Sequence, residues 1–167
     1  MAATKSYNGF PPAYREKQGG AVYRMFKSGR LKRPTECVGC GAFASEGAPI
    51  MAHNEDYHQP LNFVGICFGC HMAIHIRFND IETWKKWCDL TADGWQPPYS
   101  RDYKYFIETW KGVKHEVVEK PSRLNWLHSL PHVEPNLYNP DDGQLFSGRE
   151  FITKAHYPNR GPENEEY

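Results

Sequence analysis

Apolar residues recur at helical spacing in three stretches of the chain. In the first stretch, residues 13–28, they are Tyr14, Ala21, Val22, Met25 and Phe26. This spacing predicts an amphipathic helix. The pair Gly19-Gly20 predicts that the helix starts near residue 20, and Gly29 suits a C-terminal cap.

The second and third helical stretches follow residue 79. Asn79 and Glu82 have the spacing of a capping box, which predicts a helix capped by Asn79. Its apolar side comprises Ile81, Trp84, Trp87 and Cys88. Gly94 and the pair Pro97-Pro98 then end this unit. In the third stretch, Ser100 is the predicted cap of a helix over residues 101–111, with Tyr103, Phe106, Ile107 and Trp110 at helical spacing.

Between the first two helices the pattern changes to short apolar runs separated by polar turns. Residues 49–53 form an apolar run that ends at the acidic turn of residues 54–56, and residues 62–67 form a second run. These runs predict two short strands that fold back on each other. A helix is expected from His71 onward.

Four of the five cysteines occur as two Cys-x-x-Cys pairs around this strand region: Cys37, Cys40, Cys67 and Cys70. Such pairs supply the four thiolates of a closed, tetrahedral, structural zinc site. The 26 residues between Cys40 and Cys67 exceed the interval of a simple zinc ribbon, so additional structure is expected inside it. The remaining cysteine, Cys88, is expected to be buried packing.

His71 follows the last cysteine of the second pair, and His75 lies four residues later. On a helix, residues four apart stack on one face, so both imidazoles can share one metal ion. The strand region can fold His53 and Asn62 back against that face. The sequence therefore predicts a second, open metal site beside the zinc site.

The order His53, Asn62, His71, with nine positions from the asparagine to the last histidine, resembles the HNH endonucleases of the ββα-metal fold. The chain is more closely similar to the small HNH proteins of bacteriophages. The matching positions fall within about residues 20–78: Ala21-Val22, Met25-Phe26, Gly29 to Pro34, Cys37 to Gly41, His53 to Tyr57, Pro60, and Cys67 to His75.

The resemblance implies an α+β fold, with a ββα-metal core clamped by the four-cysteine zinc site and flanked by helices and a loop-rich C-terminal tail. It implies that His53, Asn62 and His71 are catalytic, with Asn62 orienting the base. It also implies that His53, His71 and His75 bind a catalytic Mg²⁺ or Mn²⁺. Because imidazoles suit softer ions, Ni²⁺ or Zn²⁺ is also expected to occupy that site.

One position departs from the phage pattern, which often reads Ala-His-His-Glu-Asp-Tyr where this chain has Asn54 as the third residue. If His53 keeps the ligand role, the usual base is missing unless Glu55, Asp56 or His58 replaces it. If the register moves by one, His53 is the base and Ala52 marks a missing ligand. Both interpretations remain open from the sequence.

Charge is distributed unevenly along a chain of zero formal net charge. Residues 1–36 contain eight lysines and arginines against two glutamates, whereas the C-terminal part is acidic. Five cations fall within ten positions before the first cysteine, and phosphate contacts supply most non-specific DNA affinity. The predicted nucleic-acid contacts are Arg24, Lys27, Arg30, Lys32, Arg33 and Arg77.

The 167 residues allow one compact core with extensions. The predicted organisation is a flexible lead-in over residues 1–12, a core with flanking helices over residues 13–114, and a proline-rich extension over residues 115–167, partly disordered at its acidic end. No membrane-spanning run or signal-peptide core is present, which predicts a cytoplasmic protein, in the host bacterium if a phage encodes it.

The sequence thus favours a phage-type HNH endonuclease that cuts DNA with one divalent metal ion. The alternative is a disabled HNH-derived zinc protein that binds nucleic acid, or a phage or host protein through its C-terminal extension. Asn54, the zero net charge and the proline-rich tail favour that alternative.

Overall fold

The computed structural model describes residues 5–142, which form an α+β structure, as predicted. Within this part the chain has four α-helices and one two-stranded sheet. They are α1 (Pro12–Lys27), β1 (Ile50–His53), β2 (Val64–Cys67), α2 (Phe68–Ile76), α3 (Ile81–Ala92) and α4 (Tyr103–Lys114). Short 3-10 turns lie at Ala44–Glu46, Arg77–Asn79, Trp126–Ser129 and Pro140–Asp142. None of the described helices is long and apolar enough to cross a membrane.

The described chain divides into two compact units, neither of which is continuous in sequence. The first unit comprises residues 5–33, 54–63 and 134–142, and the second comprises residues 34–53 and 64–133. The boundaries predicted at residues 12 and 114 do not coincide with these units. Residues 1–4 and 143–167 of the predicted lead-in and tail lie outside the described residues.

The first unit is built around α1, whose buried face includes Ala21, Val22 and Met25. The helix starts at Pro12, eight residues before the predicted start. Proline suits the first helical position because its fixed φ matches the helix and its missing N–H would be unpaired there. The prediction was wrong because a mid-helix glycine costs only about 1 kcal/mol, which burial of the apolar face offsets.

The turn Tyr7 to Phe10 joins the other segments of the first unit to α1. Phe10 is fully buried, and Asn8 and Gly9 adopt positive φ angles of 50° and 85°. The Asn8 carbonyl accepts a 2.8 Å hydrogen bond from Leu137, while the Asn8 side chain donates to Glu55. Hydrogen bonds therefore join this turn to other segments of the first unit, while the predicted flexibility of residues 1–12 stays a prediction.

The second unit contains the antiparallel pair β1 and β2, in which Ile50 faces Cys67 and His53 faces Val64. Helix α2 begins at Phe68, directly after β2 and three residues before the predicted start. Val38 donates a 2.9 Å hydrogen bond to the Gly65 carbonyl. Because a Cβ at Gly65 would lie 2.3 Å from the Glu36 carbonyl oxygen, glycine is needed for this close approach.

Helices α3 and α4 supply the aromatic core of the second unit. Trp84 and Trp87 are fully buried on α3, and Trp87 contacts Phe106 and Trp110 of α4 at ring-centroid distances of 5.8 and 5.7 Å. Cys88 is buried beside them, as predicted, and this burial raises the pKa of its thiol.

The caps of both helices differ from the sequence predictions. Asp80, rather than Asn79, caps α3 by accepting a hydrogen bond from the Thr83 N–H at 3.1 Å. Asp102, rather than Ser100, caps α4 by accepting from the Lys104 N–H at 2.8 Å. Asn, Ser and Asp are all good caps, so composition could not distinguish between neighbouring candidates.

Candidate metal centres

The first candidate centre is a buried cluster of the four paired cysteines. The sulfur atoms of Cys37, Cys40, Cys67 and Cys70 all lie within 4.8 Å of one another, so the cluster can hold a metal ion. Sulfur ligands about 2.3 Å from a tetrahedral zinc lie about 3.8 Å apart. The Cys40 and Cys67 sulfurs are separated by 3.7 Å, which fits that arrangement. All four thiols are free, since a disulfide requires sulfurs about 2.05 Å apart.

Local structure brings the two cysteine pairs together. The first pair lies on a turn in which the Gly41 N–H donates to the Cys37 carbonyl at 2.9 Å, with Gly41 at a φ of 73°. In the second pair, Cys67 ends β2 and is the N-cap residue of α2, and Cys70 lies in the first helical turn. Each Cys-x-x-Cys pair therefore directs both sulfurs to one side of a tight turn.

The protonation equilibria of these thiols depend on their mutual contacts. The hydrogen bond from Cys40, with others from Cys67 and Cys70, lowers the pKa of Cys37. Burial raises the pKa of Cys70, and the contact with Cys37 raises the pKa of Cys67. A divalent ion provides the positive charge that four adjacent thiolates require.

The second candidate centre contains His53, His71 and His75, whose ring nitrogens lie within 4.8 Å of one another. His53 is the last residue of β1 and is only 3% exposed, whereas the two helix histidines are half-buried on α2. The His53 ring centroid lies 5.2 Å from that of His71 and 5.7 Å from that of His75. The predicted grouping of these three imidazoles is therefore present.

The helix histidines lie one turn apart, with their Nε2 atoms separated by 3.0 Å. Two imidazole nitrogens about 2.1 Å from one ion and at a right angle are also about 3.0 Å apart. The distance therefore fits two adjacent ligands of one ion. Because all three ligands are neutral imidazoles, nitrogen-preferring ions such as Zn²⁺ and Ni²⁺ suit the site better than Mg²⁺.

A tryptophan from residues 115–133 lies beside the histidines. The Trp126 ring is inclined at 76° to the His53 ring, with their centroids 6.3 Å apart. Sequence reasoning missed this residue, because Trp126 lies 73 positions beyond His53 and in no periodic element. The one signal available from the sequence was a large aromatic residue, Trp126, within the proline-rich segment.

Position 54 contributes an amide to the loop rather than a base. The Asn54 side chain donates to the carbonyls of Gln59 and Pro60, at 3.2 and 2.9 Å. The proposed replacements are also engaged within the first unit. Glu55 accepts from Asn8, Asp56 accepts from the His58 N–H, and His58 contacts the Tyr14 hydroxyl and the Asn139 N–H.

Asn62, the predicted orienting residue, belongs to the first unit. It is exposed, and its backbone N–H donates to the Gln59 carbonyl at 2.9 Å. The histidine cluster belongs to the second unit, so the orienting role of Asn62 stays a prediction.

Arg77 contradicts the prediction of a nucleic-acid contact. Its side chain is fully buried, donates to the Ile74 and Pro131 carbonyls at 2.8 and 3.1 Å, and lies over the Phe78 ring. A guanidinium already bonded to backbone carbonyls in the interior is not available to a phosphate. Of the other predicted contacts, Arg30 is half-buried and the exposed ones are Arg24, Lys27, Lys32 and Arg33.

The chain gives no significant match to any protein-family model, curated protein or solved structure.

Proposed function

We propose that the protein is an endonuclease of the HNH type that hydrolyses DNA phosphodiester bonds with one divalent metal ion held by His53, His71 and His75. The observation that carries this proposal is the histidine pair on successive turns of α2, with Nε2 atoms 3.0 Å apart and the buried His53 ring beside them. The order β1, β2, α2, with cysteines in the strand and the helix, agrees with a ββα-metal core braced by a structural zinc.

Three neutral imidazoles suit this chemistry because they leave the full charge of the ion for an anionic phosphate. A divalent ion at this position would polarise the phosphate and lower the pKa of a bound water towards neutrality. The protein would orient the three imidazole rings, because the end of β1 holds His53 and α2 holds the two other histidines. The exposed cations Arg24, Lys27, Lys32 and Arg33 would contribute non-specific attraction to DNA.

A second function is favoured by a different observation. Because an amide is not basic near neutral pH, Asn54 offers no general base, and its side chain is bonded instead to two loop carbonyls. A protein that retained the zinc core and lost its base would bind nucleic acid, or a phage or host protein, without cutting DNA.

A plasmid nicking assay tests both functions. The intact protein is assayed with Mg²⁺, Mn²⁺, Ni²⁺ and Zn²⁺ beside His53→Ala, His71→Ala and His75→Ala. His132→Ala is the matched control, since this histidine is exposed and distant in sequence from the cluster. We expect nicking by the intact protein and the control, with at least a hundredfold loss in the three variants while bound zinc and folding are retained.

Two results would contradict the nuclease proposal. One is no metal-dependent nicking by the intact protein, and the other is equal nicking by His71→Ala and His132→Ala. A hydrogen bond between two imidazoles has a similar nitrogen–nitrogen distance. Measuring whether the intact protein binds a metal ion therefore distinguishes a metal site from such a hydrogen bond. Salt-sensitive DNA binding without nicking would support the disabled form instead.

A further inference from the structure

The segment Asn125 to Pro131 contributes an aromatic wall to the histidine cluster. Trp126 is half-buried, and its ring meets the His53 ring nearly at right angles. The rings of His71 and His75 contact His53 from α2. A buried ring with aromatic neighbours from two elements has few rotamers left, so Trp126 limits where the His53 nitrogens can point.

Asn125, directly before Trp126, anchors the segment to the first cysteine turn. Its side-chain amide donates 2.9 Å hydrogen bonds to the Gly39 carbonyl and to the Thr91 hydroxyl. Leu127, on the other side of Trp126, is fully buried against Gly39. A Cβ at Gly39 would lie 3.0 Å from a Leu127 methyl carbon and 3.3 Å from the Cys70 sulfur. This segment therefore packs directly against the cysteine cluster.

Two further contacts hold the segment beyond Trp126. The His128 Nε2 atom lies 2.9 Å from an Asp89 carboxylate oxygen on α3. The Pro131 carbonyl accepts a 3.1 Å hydrogen bond from the buried Arg77. The chain on both sides of Trp126 is thus held, which places its indole beside His53.

We infer that Trp126 is a positioning residue of the three-histidine site, which holds His53 in its ligand orientation, and that Asn125 links this orientation to the cysteine cluster through Gly39. The inference rests on the proposed metal site but not on DNA cleavage. Groups that orient a ligand from outside the metal shell typically change metal affinity 10- to 100-fold when removed. A loss of about tenfold or more is therefore expected when the indole is truncated.

The test is a Co²⁺ titration of the full-length protein with zinc supplied only in the amount that fills the cysteine cluster, followed by ligand-field absorption. We expect Trp126→Ala to bind Co²⁺ at least tenfold more weakly than the intact protein, with an altered spectrum. Trp126→Phe retains a ring and should restore most of the affinity. Leu124→Ala is the control, because this neighbouring side chain is 71% exposed and should leave affinity and spectrum unchanged.

Asn125→Asp tests the link to the cysteine turn, since it replaces the amide donor by a carboxylate of nearly the same size. We expect it also to weaken Co²⁺ binding while bound zinc is retained, with a modest fall in melting temperature because the two amide hydrogen bonds are lost. If Trp126→Ala does not fold, Asn125→Asp decides, and a Co²⁺ affinity equal to that of the intact protein in this variant overturns the inference.

The two proposals fail in different ways. If the intact protein binds no Co²⁺ in addition to the zinc of its cysteine cluster, both the proposed three-histidine metal site and the positioning role of Trp126 are contradicted. If the intact protein binds Co²⁺ through His53, and Trp126→Ala binds it equally well with the same spectrum, the positioning role falls while the nuclease proposal survives.

Discussion

The side-chain amide of Asn54 donates a 2.9 Å hydrogen bond to the carbonyl oxygen of Pro60, and a second bond of 3.2 Å reaches Gln59. These two bonds close the loop that follows β1. At this position an HNH protein of the phage pattern often has a histidine. The residue here stabilises a loop and cannot accept a proton, so any base catalysis must be supplied in another way.

Replacing Asn54 by histidine should change stability and activity in opposite directions. Loss of the two loop bonds should lower the free energy of unfolding by about 1–2 kcal/mol. A restored general base should raise the nicking rate by tenfold or more, because such groups contribute about 10²- to 10⁴-fold. Urea unfolding and the plasmid assay measure the two effects.

Asn54→Ala is the matched control, because it removes the same bonds without supplying a base. It should be destabilised to a similar extent and nick no faster than the intact protein. A histidine variant that is no faster than the alanine variant would show that position 54 is not a base position in this chain.

Removing one cysteine of the cluster should release zinc and unfold the second unit. We expect about one zinc per intact chain by elemental analysis and much less than one in Cys40→Ser. The loss of stability should be large, since structural zinc contributes roughly 10 kcal/mol or more to small zinc domains. Cys88→Ser should keep its zinc, because Cys88 lies outside the cluster. Equal zinc content in both variants would contradict the assignment.

The cap of α3 gives a prediction about pH. Hydrogen bonds from the Thr83 hydroxyl and N–H lower the pKa of Asp80. A lowered pKa means that the carboxylate stabilises the fold above about pH 4 and that this contribution is lost as the pH falls through the folded-state pKa. Asp80→Ala should therefore cost about 1 kcal/mol at pH 7 and less below pH 4.

Asn79→Ala is the control for this cap, since Asn79 is exposed and was the sequence-predicted cap. Its unfolding free energy should match that of the intact protein at every pH. An equal loss in both variants would contradict the assignment of the cap to Asp80 rather than Asn79.

Substitutions of two arginines should affect different properties, one the stability of the fold and the other the affinity for DNA. Arg77→Met should lower the free energy of unfolding by about 2–3 kcal/mol, because two carbonyl partners lose charged hydrogen bonds in the interior. Arg24→Ala should leave stability unchanged and reduce the slope of log affinity against log salt by about one. Arg123→Ala, another exposed arginine, should change neither. A reduced slope in Arg123→Ala would contradict a specific role for residues 24–33.

Short spacings in the sequence were enough to predict both clusters. Cys67, Cys70, His71 and His75 lie within nine residues, so the local geometry of one strand end and one helix fixes their side chains. The two strands were predicted within two residues at each end because short apolar runs were bounded by an acidic turn and by cysteines.

Contacts between distant positions were not predictable in the same way. Arg77 was placed on a surface because an arginine on a helix is usually exposed, yet a carbonyl 54 positions later accepts its hydrogen bond. Trp126 reaches His53 because Asn125 bonds to Gly39, 86 positions earlier. Neither pairing has a local signal, since both depend on how the chain packs after its elements have formed.

The division of the chain also constrains the order in which it can fold during synthesis. Every residue of the second unit has been made once Val133 is joined, whereas the first unit still requires residues from Glu134 onward. The second unit, with the cysteine turn, both strands and the histidine helix, is therefore complete in sequence before the first unit is. A chain truncated before Glu134 would retain all seven side chains of the two candidate metal clusters but lack the Leu137 bond to the Asn8 turn.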